Sequence, residues 1–195
     1  MMTSPDPVLC SSYFVVSFLM AGIMQTIWMK SEYAKHFAVA IDHGHTVRNR
    51  RIFGDNKTWR GFVVMVPISG MAFVAIRSLM QTIEERDVFL WPLSNAEFFL
   101  LGSWSGLGFM LGELPNSFLK RQFDIDPGAP AQHPFGRRLC FLVDQADCVV
   151  GGLIFVSVFV PVPLETWIFI VVTGALAHLG FNYVLLRMGL RERAA

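Results

Sequence analysis

The sequence predicts an all-α integral membrane protein with about five transmembrane helices. Hydrophobic residues make up 53% of its 195 residues and the mean hydropathy is +0.48, whereas about 45 to 50% apolar residues is usual for a soluble domain. The charges are also unevenly spread, because five long runs carry none. These uncharged runs cover residues 7–29, 61–76, 98–112, 148–164 and 166–186.

Each uncharged run is a candidate membrane span, although several are shorter than the roughly 20 residues that cross about 30 Å of hydrocarbon. We therefore expect Arg60, Arg77 and Glu97 to lie at the ends of spans and to reach the interface. The third span must extend past Glu113. The first run has no basic stretch before it and no small-residue cleavage site after it, so we interpret it as a retained helix.

The positions of the cations predict the orientation. Of the 16 lysine and arginine residues, 14 fall between the first and second spans, between the third and fourth, or after the fifth. With five spans these segments share one side, which the positive-inside rule makes cytoplasmic. The chain is then a multi-pass protein of the cell membrane with its N-terminus outside and its C-terminus inside. A net charge of +1 implies no nucleic-acid partner, which would need clustered excess cations.

The chain has neither an internal repeat nor a low-complexity tract, so we expect a single polytopic domain over residues 1–195. Two cytosolic loops, about 30–60 and 121–146, should form its site. Apolar residues between 33 and 41 recur at helical spacing, which fits either a short interfacial helix or an ordinary connector. The outer connections, 77–97 and 160–163, are not equipped for chemistry.

The inner end of the third span carries a compact set of reactive side chains. Glu113, Ser117 and Lys120 are spaced by four and three residues, so a helix places them on one face with Arg121 alongside. A carboxylate near the headgroup layer is costly unless it is paired or binds a cation, which makes Glu113 a functional candidate. The alternative is a simple ion pair with Lys120 or an inner-loop arginine. Pro115 should kink this helix.

Two carboxylates, Asp144 and Asp147, open the fourth predicted span at helical spacing. Acids at a helix N-terminus can simply cap it. Two on one face, near Glu113 and opposite several cations, instead suit a hard divalent cation such as Mg²⁺, with ligand phosphates completing its shell. We favour the metal over capping.

Other polar groups have simpler interpretations. Two histidines at 43 and 45 lack a third placed ligand, so we interpret them as loop residues. Three cysteines have no metal-binding spacing and are expected to be buried thiols. His178 and Asn182 are one turn apart in the fifth span, where interhelical hydrogen bonding is the default and substrate contact the alternative.

Together, the inner-face clusters provide oxygen ligands for a metal and cations for phosphate oxygens. Such a set suits phosphoryl or nucleotidyl transfer at a membrane surface, where catalysis consists mostly of positioning and charge neutralisation.

The motifs resemble the CDP-archaeol synthase family, part of the wider superfamily of CTP-dependent phosphatidate cytidylyltransferases. The resemblance extends over roughly residues 40 to 155. The matching segments are Asp42-x-Gly44, then Arg51-Ile52-Phe53-Gly54-Asp55-Asn56-Lys57-Thr58-Trp59-Arg60-Gly61, Gly112-Glu113-Leu114-x-x-Ser117-Phe118-x-Lys120-Arg121, Pro127-Gly128 and Asp144-Gln145-x-Asp147.

The resemblance implies a membrane enzyme that joins CTP to a lipid phosphate, with Mg²⁺, giving a CDP-lipid and pyrophosphate. It implies metal binding by Glu113, Asp144 and Asp147, and catalytic roles for both aspartates together with Lys120 and Arg121. Nucleotide contacts are implied for Asp55, Asn56, Lys57, Thr58, Arg60 and Ser117. The sequence departs from the family pattern at Glu113, where aspartate is common, at Asn56, where glycine is common, and in a longer segment 132–143.

Two alternatives differ in substrate or class. The acceptor could be phosphatidate, an ester lipid, rather than an ether lipid, because tail contacts do not separate the two linkages. A non-catalytic scaffold or a transporter is the other alternative. Transporters usually keep ionisable sites near the bilayer midplane, whereas the charges here gather at one face. The sequence does not indicate an oligomeric state.

Overall fold

The computed structural model describes residues 5–83, 90–127, 129 and 131–189, and it confirms a predominantly helical protein. The long helices are α1 (Pro7–Met29), α3 (Trp59–Ile83), α4 (Asn95–Gln122), α5 (Pro134–Ser157) and α6 (Leu164–Arg187). A short helix, α2 (Glu32–His36), follows α1 within the segment where an interfacial helix was considered. Residues 84–89, within the predicted outer connection 77–97, lie outside the described residues.

Among the residues described, four helices are long and apolar enough to cross a membrane: α1, α3, α5 and α6. The third long helix along the chain, α4, has 28 residues, but its apolar sequence is broken by several glycines and serines and by Glu113. That α4 also crosses, giving five spans, stays a prediction, as does the orientation.

The long helices form a closed ring. Each packs extensively against two others, in the order α4, α3, α1, α6, α5 and back to α4. The closest approach is between α4 and α5, where Gly112 and Gly151 face each other. A Cβ atom at Gly151 would lie 2.3 Å from the carbonyl oxygen of Gly108, so only glycine permits this spacing. The ring leaves an interior space, closed at one end by an aromatic core.

That core contains aromatic rings from α1, α3, α4 and the connection between α3 and α4. Tyr13 and Phe14 on α1 meet Phe73 on α3 and Phe98 on α4, all at or below 1% exposure. The Tyr13 hydroxyl donates to the Phe73 carbonyl oxygen at 2.9 Å, which satisfies this buried polar atom. The opposite end of the ring carries the charged motifs.

A small hairpin, not predicted from the sequence, lies in the loop between α2 and α3. Its strands, β1 (Thr46–Val47) and β2 (Arg50–Arg51), pair antiparallel. Both turn residues between them, Arg48 and Asn49, have positive φ angles of 53° and 61°, which is typical of a tight two-residue hairpin turn.

Candidate active site

The helix ring encloses a cavity of about 540 Å³ that joins a charged mouth to an apolar floor. Helices α1, α4, α5 and α6 provide most of its wall, and the loop before α3 contributes Asn56 and Lys57. The charged lining residues are Lys57, Glu113, Lys120, Arg121, Asp126, Arg137, Asp144 and Asp147. The apolar lining includes Phe14, Phe18, Phe109, Leu153 and Ile170.

The predicted stripe on α4 faces this cavity. Glu113, Ser117 and Lys120 all line it, which confirms that they share a helix face. The helix continues from Asn95 to Gln122 with Pro115 inside it, so the acid and the cations belong to one element. Asn116 also lines the cavity, and sequence reasoning missed it although it lies one helical turn from Glu113.

The two aspartates lie in the middle of a helix, and the prediction that they open it was wrong. Helix α5 begins at Pro134, with His133 as its N-cap, so the predicted loop 121–146 is helical over its last part. Asp144 is therefore more than two turns inside α5 and cannot cap its free N–H groups. Capping is excluded as their role, and both side chains face the cavity.

A network of short contacts links α4 to the two aspartates. Lys120 Nζ lies 2.5 and 2.6 Å from the two carboxylate oxygens of Asp144. The Asn116 amide donates to Asp144 Oδ1 at 2.6 Å and to Asp147 Oδ2 at 2.8 Å. One nitrogen thus reaches an oxygen of each aspartate, so the two carboxylates converge on one point.

Glu113 pairs with a cation from a distant segment. Its carboxylate forms an ion pair with Lys57, not with Lys120 or an inner-loop arginine as the simpler interpretation had it. Burial alone would lower the pKa of Lys57, but the adjacent Glu113 carboxylate raises that pKa above its ordinary value. Lys57 is therefore a protonated cation at the cavity wall.

Arg121 is a buried cation at the cavity wall. The residue is 8% exposed, and its Nε and Nη1 atoms have no hydrogen-bond partner among the residues described. Leaving a buried charged donor unpaired is costly. Because Arg121 lines the cavity, an anion entering there would provide the acceptors that the fold lacks. The geometry therefore favours phosphate binding at this arginine.

Asp42 organises the loop that brings Asn56 and Lys57 to the cavity. Its fully buried carboxylate pairs with Arg51 at 2.7 Å. It also accepts from the backbone N–H groups of Phe53 at 2.9 Å, Gly54 at 3.0 Å and Gly44 at 3.1 Å. Burial alone would raise the pKa of Asp42, but the guanidinium and these N–H groups hold it well below its usual range. Sequence reasoning assigned this residue no role.

Three residues predicted to contact nucleotide do not line the cavity: Asp55, Thr58 and Arg60. The Asp55 side chain is 82% exposed and pairs with Arg51 at 2.7 Å. Thr58 pairs with Ala40 in a β-bridge and accepts a hydrogen bond from Arg60 at 3.2 Å. The loop turns at Gly54, where φ is 93°, so neighbouring side chains face different surroundings and only Asn56 and Lys57 reach the cavity wall.

The histidine pair lies in the loop between α2 and α3, as expected. His45 Nδ1 lies 2.7 Å from the Asp42 carbonyl oxygen in that loop. In the part of the chain that the structure covers, no three His, Cys, Asp or Glu side chains form a ready metal cluster. Glu113, Asp144 and Asp147 face one cavity. The oxygens of these carboxylates are in contact with side-chain nitrogens of Lys57, Asn116 and Lys120.

The motifs belong to one family over almost the whole chain. Residues 10–194 match the family model described as CarS-like, CDP-archaeol synthase. This chain belongs to the CDP-archaeol synthase family. Its relatives include the CDP-archaeol synthase of Archaeoglobus fulgidus, which is 33% identical over 187 residues, covering 87% of this chain and 96% of that protein. The enzyme of that name from Methanoculleus marisnigri is 33% identical over 161 residues, covering 78% of this chain and 87% of that protein.

A solved structure shares the fold of this family member. It is described as an intramembrane enzyme for archaeal membrane lipids biosynthesis, and it superposes with a TM-score of 0.60 over 87% of this chain and 92% of that one, at 21% identity. Membership of the family makes the chain a membrane-bound lipid cytidylyltransferase of the CTP-dependent class. The enzyme predicted from the motifs is confirmed, and the scaffold and transporter alternatives are not supported.

Proposed function

We propose that this enzyme joins CTP to the phosphate of an ether lipid, giving a CDP-lipid and pyrophosphate, within the cavity of the helix ring. The observation that carries the proposal is the convergence of Lys57, Lys120 and Arg121 with three carboxylates on that one cavity. These residues come from three separate segments of the chain. A polyphosphate needs several cations, and the apolar floor beneath them suits a lipid tail.

The proposed reaction is a single in-line displacement. A phosphate oxygen of the lipid attacks the α-phosphorus of CTP, the new P–O bond forms, and the bond from the α-phosphorus to the bridging oxygen of pyrophosphate breaks. Lys57, Lys120 and Arg121 bind phosphate oxygens and neutralise the charge that accumulates on pyrophosphate. No protein nucleophile is required, so the enzyme acts by positioning and charge stabilisation.

We also propose that Glu113, Asp144 and Asp147 hold Mg²⁺. Carboxylate oxygens are the ligands that Mg²⁺ prefers, and the two aspartates already converge on the Asn116 amide. Binding would require the nitrogens of Lys57, Asn116 and Lys120 to leave these oxygens and become free for phosphate. Bound Mg²⁺ would act as a Lewis acid on the phosphate oxygens. The longer reach of Glu113, compared with aspartate, remains compatible with this set.

The acceptor lipid is proposed from the family. The relatives are named for archaeol, an ether lipid, whereas the apolar floor makes contacts that do not separate ether from ester linkages. Phosphatidate is therefore the second candidate. We further propose that the mouth of the cavity opens to the cytoplasm, where CTP is available, since the cation-rich segments lie at that end.

The direct test incubates the purified protein with labelled CTP, Mg²⁺ and either an ether-lipid phosphate, phosphatidate or no lipid. We expect CDP-lipid and pyrophosphate only when a lipid phosphate is present, and more with the ether lipid. Lys120→Met should abolish most product, whereas Lys35→Met, which alters an exposed lysine paired with Glu32, should not. Absence of CDP-lipid with every lipid phosphate would refute the proposal, and greater turnover of phosphatidate would favour the ester lipid.

A further inference from the structure

The cavity has two chemically different walls. Helices α4 and α5 provide the carboxylates and most of the cations described above. The wall formed by α1 and α6 has no Asp, Glu, Lys or Arg side chain, and its polar lining residues are Gln25 and Thr26 on α1 and His178 and Asn182 on α6. The proposed chemistry uses only the charged wall, so the polar groups of α6 have no role in it.

The α6 residues that line the cavity form a regular helical stripe. Gly174, Ala177, His178, Phe181, Asn182 and Leu185 all face it, at the spacing of one face of a helix. Asn182 is 3% exposed. Polar side chains inside a membrane-spanning helix are costly and usually face a partner or a cavity. Both polar residues of the stripe line the cavity, and His178 also contacts Cys148 on α5.

Contacts with α5 fix the position of this pair relative to the catalytic carboxylates. His178 Nδ1 lies 3.7 Å from Cys148 Sγ, and Cys148 directly follows Asp147. One turn from His178 toward the start of α6, a Cβ atom at Gly174 would lie 3.1 Å from Val149. His178 is therefore level with Asp147, on the helix that packs beside α5. Asn182, one turn further toward the C-terminus, lies on the side of the charged mouth.

Beyond His178 in the other direction the lining becomes apolar. Ile170 on α6 and Leu153 on α5 belong to the buried aromatic and aliphatic core, and Phe14 and Phe18 continue this floor on α1. His178 and Asn182 thus lie between the charged lining and the apolar floor. A nucleoside triphosphate is polar along its whole length, whereas a lipid phosphate has a charged headgroup joined to apolar tails. Of the two substrates, the lipid phosphate therefore fits a site where charged lining changes to apolar lining.

We propose that His178 and Asn182 bind the phosphate-bearing end of the lipid substrate and hold it beside the α4–α5 wall, where the cations bind CTP. This inference rests on the proposed function and deepens it. The two substrates would then be bound by different walls, with the lipid phosphate oxygen held by donors on α6 and directed toward the α-phosphorus at the α4–α5 wall.

The test compares Asn182→Leu and His178→Ala with Thr173→Val, which changes an exposed polar residue of the same helix. We expect Asn182→Leu and His178→Ala to raise the KM for the lipid phosphate roughly tenfold, the effect of losing a hydrogen bond to a charged group. The KM for CTP should change less than about twofold, because CTP is assigned to the other wall. Thr173→Val should match the wild-type enzyme in both constants.

A second measurement does not depend on turnover. Without CTP, a short-chain lipid phosphate should raise the unfolding temperature of the detergent-solubilised wild-type protein and of Thr173→Val. It should do so less for Asn182→Leu, whereas CTP should stabilise all of them equally. Equal lipid stabilisation of every variant, or a change confined to the KM for CTP, would overturn the subsite. Failure of the wild-type protein to form CDP-lipid would instead refute the proposed function, so the two failures are distinguishable.

Discussion

Gly112 on α4 lies directly against the backbone carbonyl of Asp147 on α5. A Cβ atom at Gly112 would be 2.4 Å from that carbonyl oxygen and 3.0 Å from the Cα atom of Gly151. The missing side chain therefore sets the distance between two helices at the level of their carboxylates, since Glu113 is the next residue along α4. Gly112 therefore affects both the packing of α4 against α5 and the positions of the carboxylates on the two helices.

Gly112→Ala should consequently impair both stability and activity. Backbone atoms cannot yield as a flexible side chain does, so α4 and α5 must separate, at a cost of about 1 to 3 kcal/mol. We expect a lower unfolding temperature in detergent and a clear loss of CDP-lipid formation. The matched control is Gly180→Ala on α6, where a Cβ atom would meet nothing within 4 Å. Equal behaviour of the two variants would contradict this account of the α4–α5 contact.

Asp144→Asn and Asp147→Asn should each reduce turnover roughly a hundredfold or more, because each removes a proposed metal ligand while keeping the side-chain shape. The measurement is the rate of CDP-lipid formation as a function of Mg²⁺ concentration, with insertion checked by membrane fractionation. Asp124→Asn provides a control, since Asp124 is an exposed partner of Arg50. Near-wild-type rates in both active-site variants would remove the metal assignment.

Arg121→Met should weaken CTP binding without lowering the stability of the protein. Two guanidinium nitrogens of Arg121 are buried without an acceptor among the described residues, so an apolar side chain of similar length should leave the unfolding temperature unchanged or raise it. The same change removes a proposed phosphate contact and should raise the KM for CTP at least tenfold. Thermal unfolding and steady-state kinetics on one preparation measure both. A variant that loses stability without any change in KM would show that Arg121 is structural.

Asp42→Asn should destabilise the loop that carries Lys57, by about 2 kcal/mol, because it weakens charge-assisted hydrogen bonds to Arg51 and to backbone N–H groups. The pKa of Asp42 is depressed in the folded state, so its stabilising contribution is complete above the unfolded value near 3.8. It declines as the pH falls below that value. The difference in unfolding temperature between wild type and variant should therefore be constant from pH 5 to 7, and it should shrink toward pH 3. A difference that grows on acidification would contradict the assignment.

Several features of the site followed from local sequence pattern. Helical spacing was sufficient to place Glu113, Ser117 and Lys120 on one face and to pair Asp144 with Asp147, because the period of a helix is independent of its surroundings. The same period would have included Asn116, which was passed over because the family motif leaves that position open. The start of α5 was placed too late, since the segment before Asp144 is polar and its helix begins at Pro134.

By itself the sequence determined that this protein is helical and membrane-embedded, which residue faces are reactive, and to which family the chain belongs. Only the tertiary structure decided which faces meet. Lys57 pairs with Glu113 across 56 residues, and Asp55 and Thr58 turn away from the cavity. Arg121 is buried, and two of its nitrogens have no acceptor among the residues that the structure describes. The physical reason is that helix periodicity is a local property. Pairing across the cavity depends instead on the glycine-sized gap between α4 and α5, and on a loop whose turns are held by the buried carboxylate of Asp42.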